Sequence, residues 1–392
     1  MSDNKSVKPG WKIWRFDQIA RNISERAEPT PNDSALYVGL EHMETGSLCI
    51  RRWGSETDLI GTKFKMRRGD VLFARRNAYL KRVAIAPHDG LFSAHGMVLR
   101  ARPEVVLPEF LPFFMQSDLF MDRAIEISVG SLSPTINWKT MATQEFSLPS
   151  LGEQAEILQV LRAAENQTEA LIAAACRAKE LKRSLLKQAF SCGLRGHEVI
   201  PAAVHYQSVP ISWRVCGLGE VFEILDSRRV PIKDSERNER KGPYPYYGAS
   251  GPIDSIDDFI FDEEVLLLSE DGMNLLYRSS PVVYKVTEKC WVNNHAHVLR
   301  PKACANIDFY AEYLESIALD PFITGTYQKK ITKSDCEKIP LPLPSVDEQA
   351  EIVRHIQTLN DAHKALSARI EQSSAIKRSL VRSVFGDQSS VH

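Results

Sequence analysis

The chain lacks the sequence signatures of the common enzyme classes. It has no Gly-x-x-x-x-Gly-Lys-Ser/Thr phosphate loop, no Gly-x-Gly-x-x-Gly dinucleotide turn and no Gly-x-Ser-x-Gly nucleophile elbow. The Asn/Asp-Pro-Pro-aromatic tetrapeptide that marks amino-methylating DNA methyltransferases is also absent. These absences favour a protein that catalyses no reaction itself.

Metal-binding and membrane-spanning patterns are missing as well. The seven cysteines include no Cys-x-x-Cys pair and the ten histidines include no His-x-x-x-His pair, so no metal site is expected. No apolar run has the length of a membrane span, and no apolar signal segment opens the chain. We therefore expect a cytoplasmic protein with reduced cysteines and no membrane partner.

The chain also lacks an excess of either charge. Its net charge is −1, and its 392 residues are 43% hydrophobic and 25% charged, as in an ordinary soluble protein of two or three domains. A basic face can be balanced by acidic surface elsewhere, so the net charge does not exclude a nucleic-acid partner.

One stretch of the sequence occurs twice. Ser-Leu-Pro-Ser-Leu-Gly-Glu-Gln-Ala-Glu-Ile-Leu at 147–158 is answered by Pro-Leu-Pro-Ser-Val-Asp-Glu-Gln-Ala-Glu-Ile-Val at 342–353. Glu153 and Glu348 lie 195 positions apart, and the same offset joins Leu185 to Leu380 at the ends of the two runs. Because surface loops drift in length and packed helices do not, this constant offset predicts two equivalent helices.

Each run begins with a helix start signal and continues as an amphipathic stripe. Ser150 with Glu153, and Ser345 with Glu348, fit the Ser-x-x-Glu capping box. A heptad-like pattern follows, with polar breaks at matched places. Its positions are Ile157, Leu161, Ala164, Thr168, Leu171, Ala175, Ala178, Lys182, Leu185 and Ala189, then Ile352, Ile356, Leu359, His363, Leu366, Ile370, Ser373, Lys377, Leu380 and Val384. The pattern favours helices that pack on each other; the alternative is two amphipathic helices on separate cores.

The repeat extends beyond the helices. Trp11 is answered by Trp213, residues 69–73 by 263–267, and residues 93–100 by 293–300. These anchors read as strands, which predicts two diverged copies of one mixed α/β domain. We expect one domain over 1–149, a long helix over 150–192, a second domain over 193–344 that opens with a linker at 193–211, and a second long helix with a tail over 345–392. Strands are predicted at Asp70–Arg75, Val83–Ala86, Met97–Arg100, Glu264–Ser269 and Val282–Val286, and helices at Pro108–Met115 and Ile307–Ile317.

Basic residues cluster in each predicted domain. Ten of them lie between Arg51 and Arg82, against the acidic residues Glu56, Asp58 and Asp70. Lysine and arginine neutralise phosphate, and arginine, asparagine and glutamine can bond base edges. The candidate DNA contacts are Arg51, Arg52, Lys63, Lys65, Arg67, Arg68, Arg75, Arg76, Lys81 and Arg82, then Arg228, Arg229, Lys233, Tyr246, Tyr247, Arg278, Asn293, Asn294, Tyr327, Lys329 and Lys330. Ordinary solvated surface charge is the alternative.

Two polar loops and two histidines add further candidates. Residues 131–137 and 324–331 align at Ile136 and Ile331, and each precedes a long helix. Small hydroxyls and amides suit phosphate or base contacts, so Ser133, Thr135 and Asn137 join the candidate DNA contacts. The alternative is a loop that only caps the next element. His95 aligns with His295, and a hydrogen-bonded core histidine is the usual role of such a residue.

The duplicated motif resembles a known family. Pro-Leu-Pro-x-x-x-Glu-Gln followed by a long helix, present twice, is similar to the specificity subunit of type I restriction-modification systems. Residues 69–76 and the tyrosine-rich segment 244–251 also resemble sequence segments of that family. The first copy has Ser147 where the motif prefers proline. The tyrosine-rich segment has no visible counterpart in the first half, so we expect the halves to read different sequences.

The resemblance implies a fold and a set of partners. It implies two target-recognition domains, each reading half of a bipartite site in double-stranded DNA, and two long antiparallel, coiled-coil-like helices between them in a pseudo-two-fold repeat. The helices would dock two methyltransferase subunits that carry S-adenosylmethionine for DNA methylation, with a motor-nuclease restriction subunit using ATP and Mg²⁺ as a further partner. The chain itself would bind no cofactor or metal.

The predicted helix length limits the half-site spacing. A helix over 153–190 is roughly 57 Å long at about 1.5 Å per residue. That length corresponds to at most about 17 base pairs at about 3.4 Å each. Two other hypotheses remain: a non-catalytic scaffold that joins two protein-binding domains without DNA specificity, and a nuclease that uses acidic residues near Asp262.

Overall fold

The computed structural model describes residues 8–54 and 59–386. Glu56 and Asp58 of the first basic segment lie outside the described residues. So do residues 1–7 of the first predicted domain and residues 387–392 of the predicted tail. The chain divides into unit 1, Met1–Ala173 with Leu366–His392, and unit 2, Ala174–Ala365. Among the described helices, none combines the length and apolar character needed to cross a bilayer.

Unit 1 is built from short strands and helices around two four-stranded sheets and one two-stranded sheet. Its strands are β1 Lys12–Arg15, β2 Ala20–Ile23, β3 Arg26–Ala27, β4 Tyr37–Val38, β5 Lys63–Met66, β6 Val71–Phe73, β7 Val83–Ile85, β8 Gly90–Phe92, β9 Met97–Ala101 and β10 Glu145–Leu148. Its helices are α1 Phe16–Ile19, α2 Leu111–Gln116, α3 Asp118–Glu126, α4 Trp138–Ala142 and the first part of α5 Leu151–Cys192, with 3₁₀ turns at Pro31–Leu36, Leu40–His42 and Ala78–Leu80.

The central sheet of unit 1 is antiparallel, in the order β2-β9-β6-β7. Its inner strand β6 is apolar and buried on both faces, which explains a continuous Val-Leu-Phe run instead of an alternating one. A second sheet has the order β3-β5-β8-β4, and β1 pairs with β10. An aromatic core lies beneath: the ring of Phe114 is 5.3 Å from that of Phe146 and 5.7 Å from that of Phe385.

Unit 2 repeats much of this order of elements and adds a hairpin, β11–β12, and a helix, α7. Its strands are β11 Val199–Pro201, β12 Ser208–Pro210, β13 Arg214–Gly217, β14 Phe222–Ile224, β15 Lys241–Gly248, β16 Gly251–Ile256, β17 Val265–Ser269, β18 Val283–Val286, β19 Trp291–Val292, β20 Ala296–Pro301 and β21 Pro340–Leu343. Its helices are the rest of α5, α6 Leu218–Val221, α7 Asp234–Glu239, α8 Asn274–Tyr277, α9 Ile307–Ser316, α10 Lys333–Glu337 and the first part of α11 Val346–Phe385, with 3₁₀ turns at Asp226–Arg228 and Asp320–Phe322.

The sheet of unit 2 has the order β14-β20-β17-β18, which matches that of unit 1 strand for strand. The pairing register fixes the correspondence of residues: Val71 faces Leu99, and Leu266 faces Leu299. Val71 therefore corresponds to Leu266, at the same offset as the helices. The expected match of residues 69–73 with 263–267 is wrong by one residue. Both strands are uniformly apolar, so their sequences align about equally well in either register.

The tyrosine-rich segment does have a counterpart in the first half. Tyr246 and Tyr247 in β15 pair in parallel with β19, and Tyr37 and Val38 in β4 pair in the same way with β8. The expectation of no counterpart is wrong. The sequence does not reveal the counterpart because β4 has only two residues and shares little more than its tyrosine with β15.

Residues 193–211, expected to be a linker, contain an ordered hairpin. Strands β11 and β12 pair antiparallel there. Val204 is 7% exposed and Val209 is 1% exposed, and both belong to the core of unit 2. This segment is therefore part of the packed unit.

Helices α5 and α11, of 42 and 40 residues, contribute to both units. In unit 1, Thr168 bonds Ser373 at 2.8 Å, and Glu165, one turn earlier, pairs with Lys377, one turn later. The helices are therefore antiparallel there, as predicted. The core of unit 2 likewise contains residues of both, including Phe190 and Ile352, so the alternative of separate cores is wrong.

The predicted apolar stripe is interrupted in the middle of α11. His363 is exposed, together with its neighbours over 361–365. Towards the ends of the helices the stripe is buried, at Leu161 and Ala189 in α5 and at Ile356 in α11.

Candidate nucleic-acid interface

The duplicated glutamine fastens each long helix to its unit. Gln154 is fully buried; its Oε1 accepts from the Leu107 N–H at 2.9 Å, and its Nε2 donates to the carbonyls of Val105 at 2.9 Å and Pro149 at 3.0 Å. These bonds satisfy backbone groups that burial would otherwise leave unpaired.

Gln349 makes the same three bonds in unit 2. It accepts from the Asn306 N–H at 2.7 Å and donates to the carbonyls of Cys304 at 2.9 Å and Pro344 at 3.0 Å. The glutamine of the motif is thus an attachment residue in both units.

The preceding glutamate binds the tryptophan that opens each repeat. The indole N–H of Trp11 donates to Glu153 at 3.0 Å, and that of Trp213 donates to Glu348 at 2.9 Å. One half of the predicted capping box is present, since each glutamate N–H donates to the hydroxyl of Ser150 or Ser345, both at 3.3 Å. The carboxylates have the tryptophans as partners, a use that the box does not predict.

The end of strand β6 brings four of the candidate DNA contacts together. The Ile136 N–H donates to the Arg75 carbonyl at 3.0 Å, and Arg76 forms a β-bridge with Thr135. The Arg76 guanidinium donates to the Ser133 hydroxyl at 3.2 Å. We call Arg75, Arg76, His95, Ser133 and Thr135 strand-end cluster 1.

Cluster 1 is electropositive. Arg75 donates to the Ala94 carbonyl at 3.0 Å, and among the described residues its buried Nε has no hydrogen-bond partner. Burial and then the positive charges of Arg76 and Arg75 lower the pKa of His95 below its usual range. The two guanidinium groups of this cluster have no acidic partner among the described residues of the cluster, so they suit a phosphate or the acceptor edge of a base.

The equivalent strand end in unit 2 is acidic. The Ile331 N–H donates to the Glu270 carbonyl at 2.8 Å, and Asp271 forms a β-bridge with Lys330, so Glu270 and Asp271 stand where unit 1 has Arg75 and Arg76.

Basic side chains surround these two carboxylates. Lys330 pairs with Glu270 at 2.6 Å, Arg229 pairs with Glu270, and the His295 ring bonds Asp271 at 2.8 Å. We call Arg229, Glu270, Asp271, His295 and Lys330 strand-end cluster 2.

A buried network of charged and polar side chains lies next to cluster 2. The His297 ring is 2.6 Å from an Asp226 oxygen and 2.9 Å from the Ile331 carbonyl. Burial opposes the charge on Glu270, yet the bonds from Lys330 and Arg229 keep its pKa below the usual value. Asp226, Glu270 and His297 are close enough to hold a cation, but Arg229 and Lys330 already lie against the carboxylates.

Other predicted contacts of unit 1 have partners within the unit. Ion pairs join Arg51 to Glu44 and Glu169, Lys65 to Glu25, and Lys81 to Asp118. Backbone carbonyls accept from the others: that of Glu41 from Arg52, that of Gly61 from Lys63, and that of Leu40 from Arg82. Arg67 and Arg68 are exposed, and Asn137 caps α4 by accepting from the Lys139 N–H at 3.0 Å. Their role in DNA binding stays a prediction.

Several predicted contacts of unit 2 have partners within the unit, and their role in DNA binding also stays a prediction. Tyr246 is 1% exposed and accepts from the Ile232 N–H, Tyr247 is buried, Asn293 accepts from the His295 N–H, Arg278 donates to the Ile317 carbonyl, and Arg228 pairs with Glu263. Lys233, Asn294 and Tyr327 are exposed, and Lys329 donates to the Gly325 carbonyl. The two buried tyrosines have little surface for base stacking, whereas Tyr327 is 99% exposed.

The acidic run near Asp262 is engaged in ion pairs. Asp257 pairs with Arg240, Asp262 with Lys289, Glu263 with Arg228 and Arg300, and Glu264 with Lys285. Carboxylates that are divided among separate cations do not form a metal cradle, which disfavours the nuclease hypothesis.

Sequence reasoning missed two features of the site. It named Glu270 and Asp271 only as part of an acidic run that could hold a cation, not as the counterparts of Arg75 and Arg76. It also did not single out Leu132, which is 96% exposed. The constant offset could have found both, since it places Glu270 opposite Arg75 and Leu132 opposite Tyr327.

Comparison with known proteins matches most of the sequence to a family of DNA specificity domains. The model of the type I restriction modification DNA specificity domain matches residues 60–176 and 210–372. A putative type I restriction enzyme MjaX specificity subunit from Methanocaldococcus jannaschii is 24% identical over 405 residues, covering 96% of this chain and 92% of that protein. A putative type I specificity subunit from Haemophilus influenzae is 34% identical over 149 residues, 38% of this chain and 37% of that protein.

Solved structures share the fold. The S subunit of a type I restriction-modification system from M. genitalium matches with a TM-score of 0.59 at 13% identity, covering 99% of this chain and 98% of that one. A chain from a structure of complex assembly and conformational transition in a type I R-M system matches with a TM-score of 0.58 at 21% identity. The match covers 97% of this chain and 98% of that one. Since the two family-model matches together cover more than half of the sequence, the chain belongs to the type I restriction-modification DNA specificity family.

Proposed function

We propose that the chain is the DNA sequence-specificity subunit of a type I restriction-modification complex, in which each unit reads one half of a bipartite site. The observation that carries this proposal is the pair of strand-end clusters. The clusters lie at the ends of the equivalent central strands β6 and β17, each against a loop that is followed by a short helix, a strand and then a long helix. Such exposed loops on a rigid sheet are where proteins place binding residues.

The two clusters support different base preferences. Arg76 in cluster 1 can donate two bonds to guanine O6 and N7 or neutralise a phosphate, and the Ser133 hydroxyl beside it can contact the backbone. Asp271 in cluster 2 can accept from a cytosine amino group, with Lys330 as a donor nearby. The two half-sites should therefore differ in sequence.

The long helices are the proposed docking elements for two methyltransferase subunits, which bring S-adenosylmethionine. Exposed apolar residues on them support a protein partner: Val160 is 54% exposed, Leu181 57% and Ile376 51%. A restriction subunit with ATP and Mg²⁺ is the further partner. The proposed site of action is the cytoplasm, and this chain contributes recognition without a catalytic step or a cofactor of its own.

Helix length is the proposed ruler for the spacer between half-sites. Adding seven residues to both α5 and α11, at the boundary between the units, lengthens each helix by about 10 Å. Methylation mapping should then show both half-sites unchanged and a spacer longer by about 3 base pairs. Modified sites with the original spacer would contradict the ruler.

A salt titration separates DNA recognition from a protein-binding scaffold. The full-length chain, co-expressed with its methyltransferase partner, is bound to a duplex that carries its methylated site. Because lysine and arginine contacts release counterions, log affinity should fall linearly with log salt, with a slope near −0.9 for each neutralised phosphate. A flat response would favour the scaffold.

A further inference from the structure

Two loops of equal length lie beside the strand-end clusters, one in each unit. Residues 129–135 are closed by backbone bonds between Val129 and Thr135 of 3.0 and 2.9 Å, and residues 324–330 by bonds between Thr324 and Lys330 of 2.8 and 3.0 Å. The second residue of each is a glycine with positive φ, +116° at Gly130 and +88° at Gly325. A Cβ on Gly325 would lie 2.1 Å from the Gln328 carbonyl oxygen, so this turn is tightly determined.

An almost fully exposed apolar side chain stands at the same place in each loop. Leu132 is 96% exposed and Tyr327 is 99% exposed. A single exposed apolar residue is ordinary on a protein surface. Here, however, the position is apolar in both copies although its neighbours differ, Ser-Leu-Ser in one loop and Thr-Tyr-Gln in the other. The shared feature is an apolar tip on a rigid turn.

Each tip lies beside a strand-end cluster. The residue after Leu132 is Ser133, which accepts from Arg76 at 3.2 Å. The residue after Tyr327 is Gln328, whose amide lies 3.4 Å from an Asp271 oxygen. The apolar tip and the polar cluster therefore form one surface in each unit.

We propose that Leu132 and Tyr327 insert between base pairs, one in each half-site, as apolar wedges that unstack a base step. This inference rests on the proposed function. Base faces are the apolar part of a duplex, leucine is a known type of wedge, and tyrosine stacks on bases. Unstacking a step also lowers the cost of extruding a base for a methyltransferase.

A duplex fits these tips better than a protein partner. One aromatic side chain buries about 150–250 Å². A stable protein interface needs about 800 Å² on each side. The neighbouring arginine and lysine groups suit phosphates that flank a kinked step.

The test uses variants that should fold normally, because the substituted side chains are in solvent. Leu132→Ala and Tyr327→Ala remove the wedges, while Leu132→Met and Tyr327→Phe retain an apolar or aromatic tip. Ile211→Ala removes an apolar side chain that is 61% exposed outside the loops and serves as the control.

The readout is a fluorescent base. Methylation sequencing with the wild-type complex first identifies the site, and 2-aminopurine then replaces each position of a half-site in turn. Wild-type complex should raise the fluorescence at one step per half-site. Each alanine variant should lose that signal in one half-site only, with affinity reduced roughly 5- to 100-fold. The conservative variants and Ile211→Ala should keep the signal.

Failure of the inference and failure of the proposed function look different. If wild-type complex binds the site without any fluorescence rise, or if both alanine variants bind and fluoresce like wild type, the wedges are refuted and DNA recognition stands. If wild-type complex neither binds nor methylates DNA, both proposals are overturned.

Discussion

Unit 1 and unit 2 attach the long helices with the same contacts. The residues that follow their central strands β6 and β17, however, carry opposite charges. Gln154 and Gln349 make the same three bonds to backbone groups. At the strand ends, Arg76 in one unit corresponds to Asp271 in the other. The comparison teaches that the two copies share what fixes the helices, whereas the exposed chemistry beside the loops has diverged.

A second difference lies at the helix pair. In unit 1, Glu165 and Lys377 form an ion pair at 2.6 Å with side chains only 10% and 6% exposed. The equivalent positions in unit 2 are Asn360 and Lys182, and both contact Glu312 from α9. Lys182 is 30% exposed and Glu312 23%, so that contact is better solvated.

The largest expected effect comes from breaking the buried pair. Lys377→Met leaves the Glu165 carboxylate buried without its cation, which should cost about 3–5 kcal/mol of unfolding free energy. Lys182→Met, the matched change in unit 2, should cost about 1 kcal/mol because its partner is more exposed. Urea unfolding of the full-length chain measures both. Equal losses would remove the asymmetry between the helix contacts.

The shared attachment predicts equal losses. Gln154→Ala and Gln349→Ala each leave buried backbone groups unpaired and should each destabilise the chain by about 2 kcal/mol. Gln159→Ala, an exposed change on the same helix, should stay within about 0.5 kcal/mol of wild type. The measurement is again urea unfolding. A loss in only one of the two glutamine variants would show that the attachments are not equivalent.

The smallest expected effect is a pH dependence at one ion pair of unit 2. The hydrogen bonds from Arg300, joined by those from Arg228, lower the pKa of Glu263 to about 2, from an ordinary value of 4.5. A lowered carboxylate pKa contributes stability that is complete above the ordinary value and is lost as pH falls through about 2.

Glu263→Gln removes this contribution. At pH 7 the variant should be about 1 kcal/mol less stable than wild type, a modest figure because Arg300 is 38% exposed. The difference should shrink between pH 4.5 and pH 2, as followed by thermal unfolding across pH. A difference that stays constant over that range would contradict the assignment.

Much of the fold followed from the sequence, because its signals are local. The capping serines and the heptad stripe placed α5 and α11 to within a few residues. Apolar runs placed β6, β7 and β9 of one central sheet and β17 and β18 of the other, whereas the outer strands β2 and β14 were not predicted. The register of β17 was missed by one residue, since uniformly apolar strands carry no local register signal. Tyr37 was missed because strand β4 has only two residues.

The candidate site was predicted only in part. Arg75, Arg76, Ser133 and Thr135 were named from the sequence, and the structure brings them together. Arg51 was named for the same reason, yet it pairs with Glu169 on α5. A basic residue in sequence does not reveal which distant carboxylate it will meet, because such pairs form only through the tertiary fold.

Methylation mapping with Arg76→Ala and Asp271→Ala tests the central claim most directly. Each good contact to a base edge contributes about 1–3 kcal/mol of discrimination. The account predicts that Arg76→Ala relaxes the bases of one half-site, that Asp271→Ala relaxes the other, and that the spacer stays unchanged. Relaxation of the same half-site by both variants, or unaltered motifs in both, would contradict it.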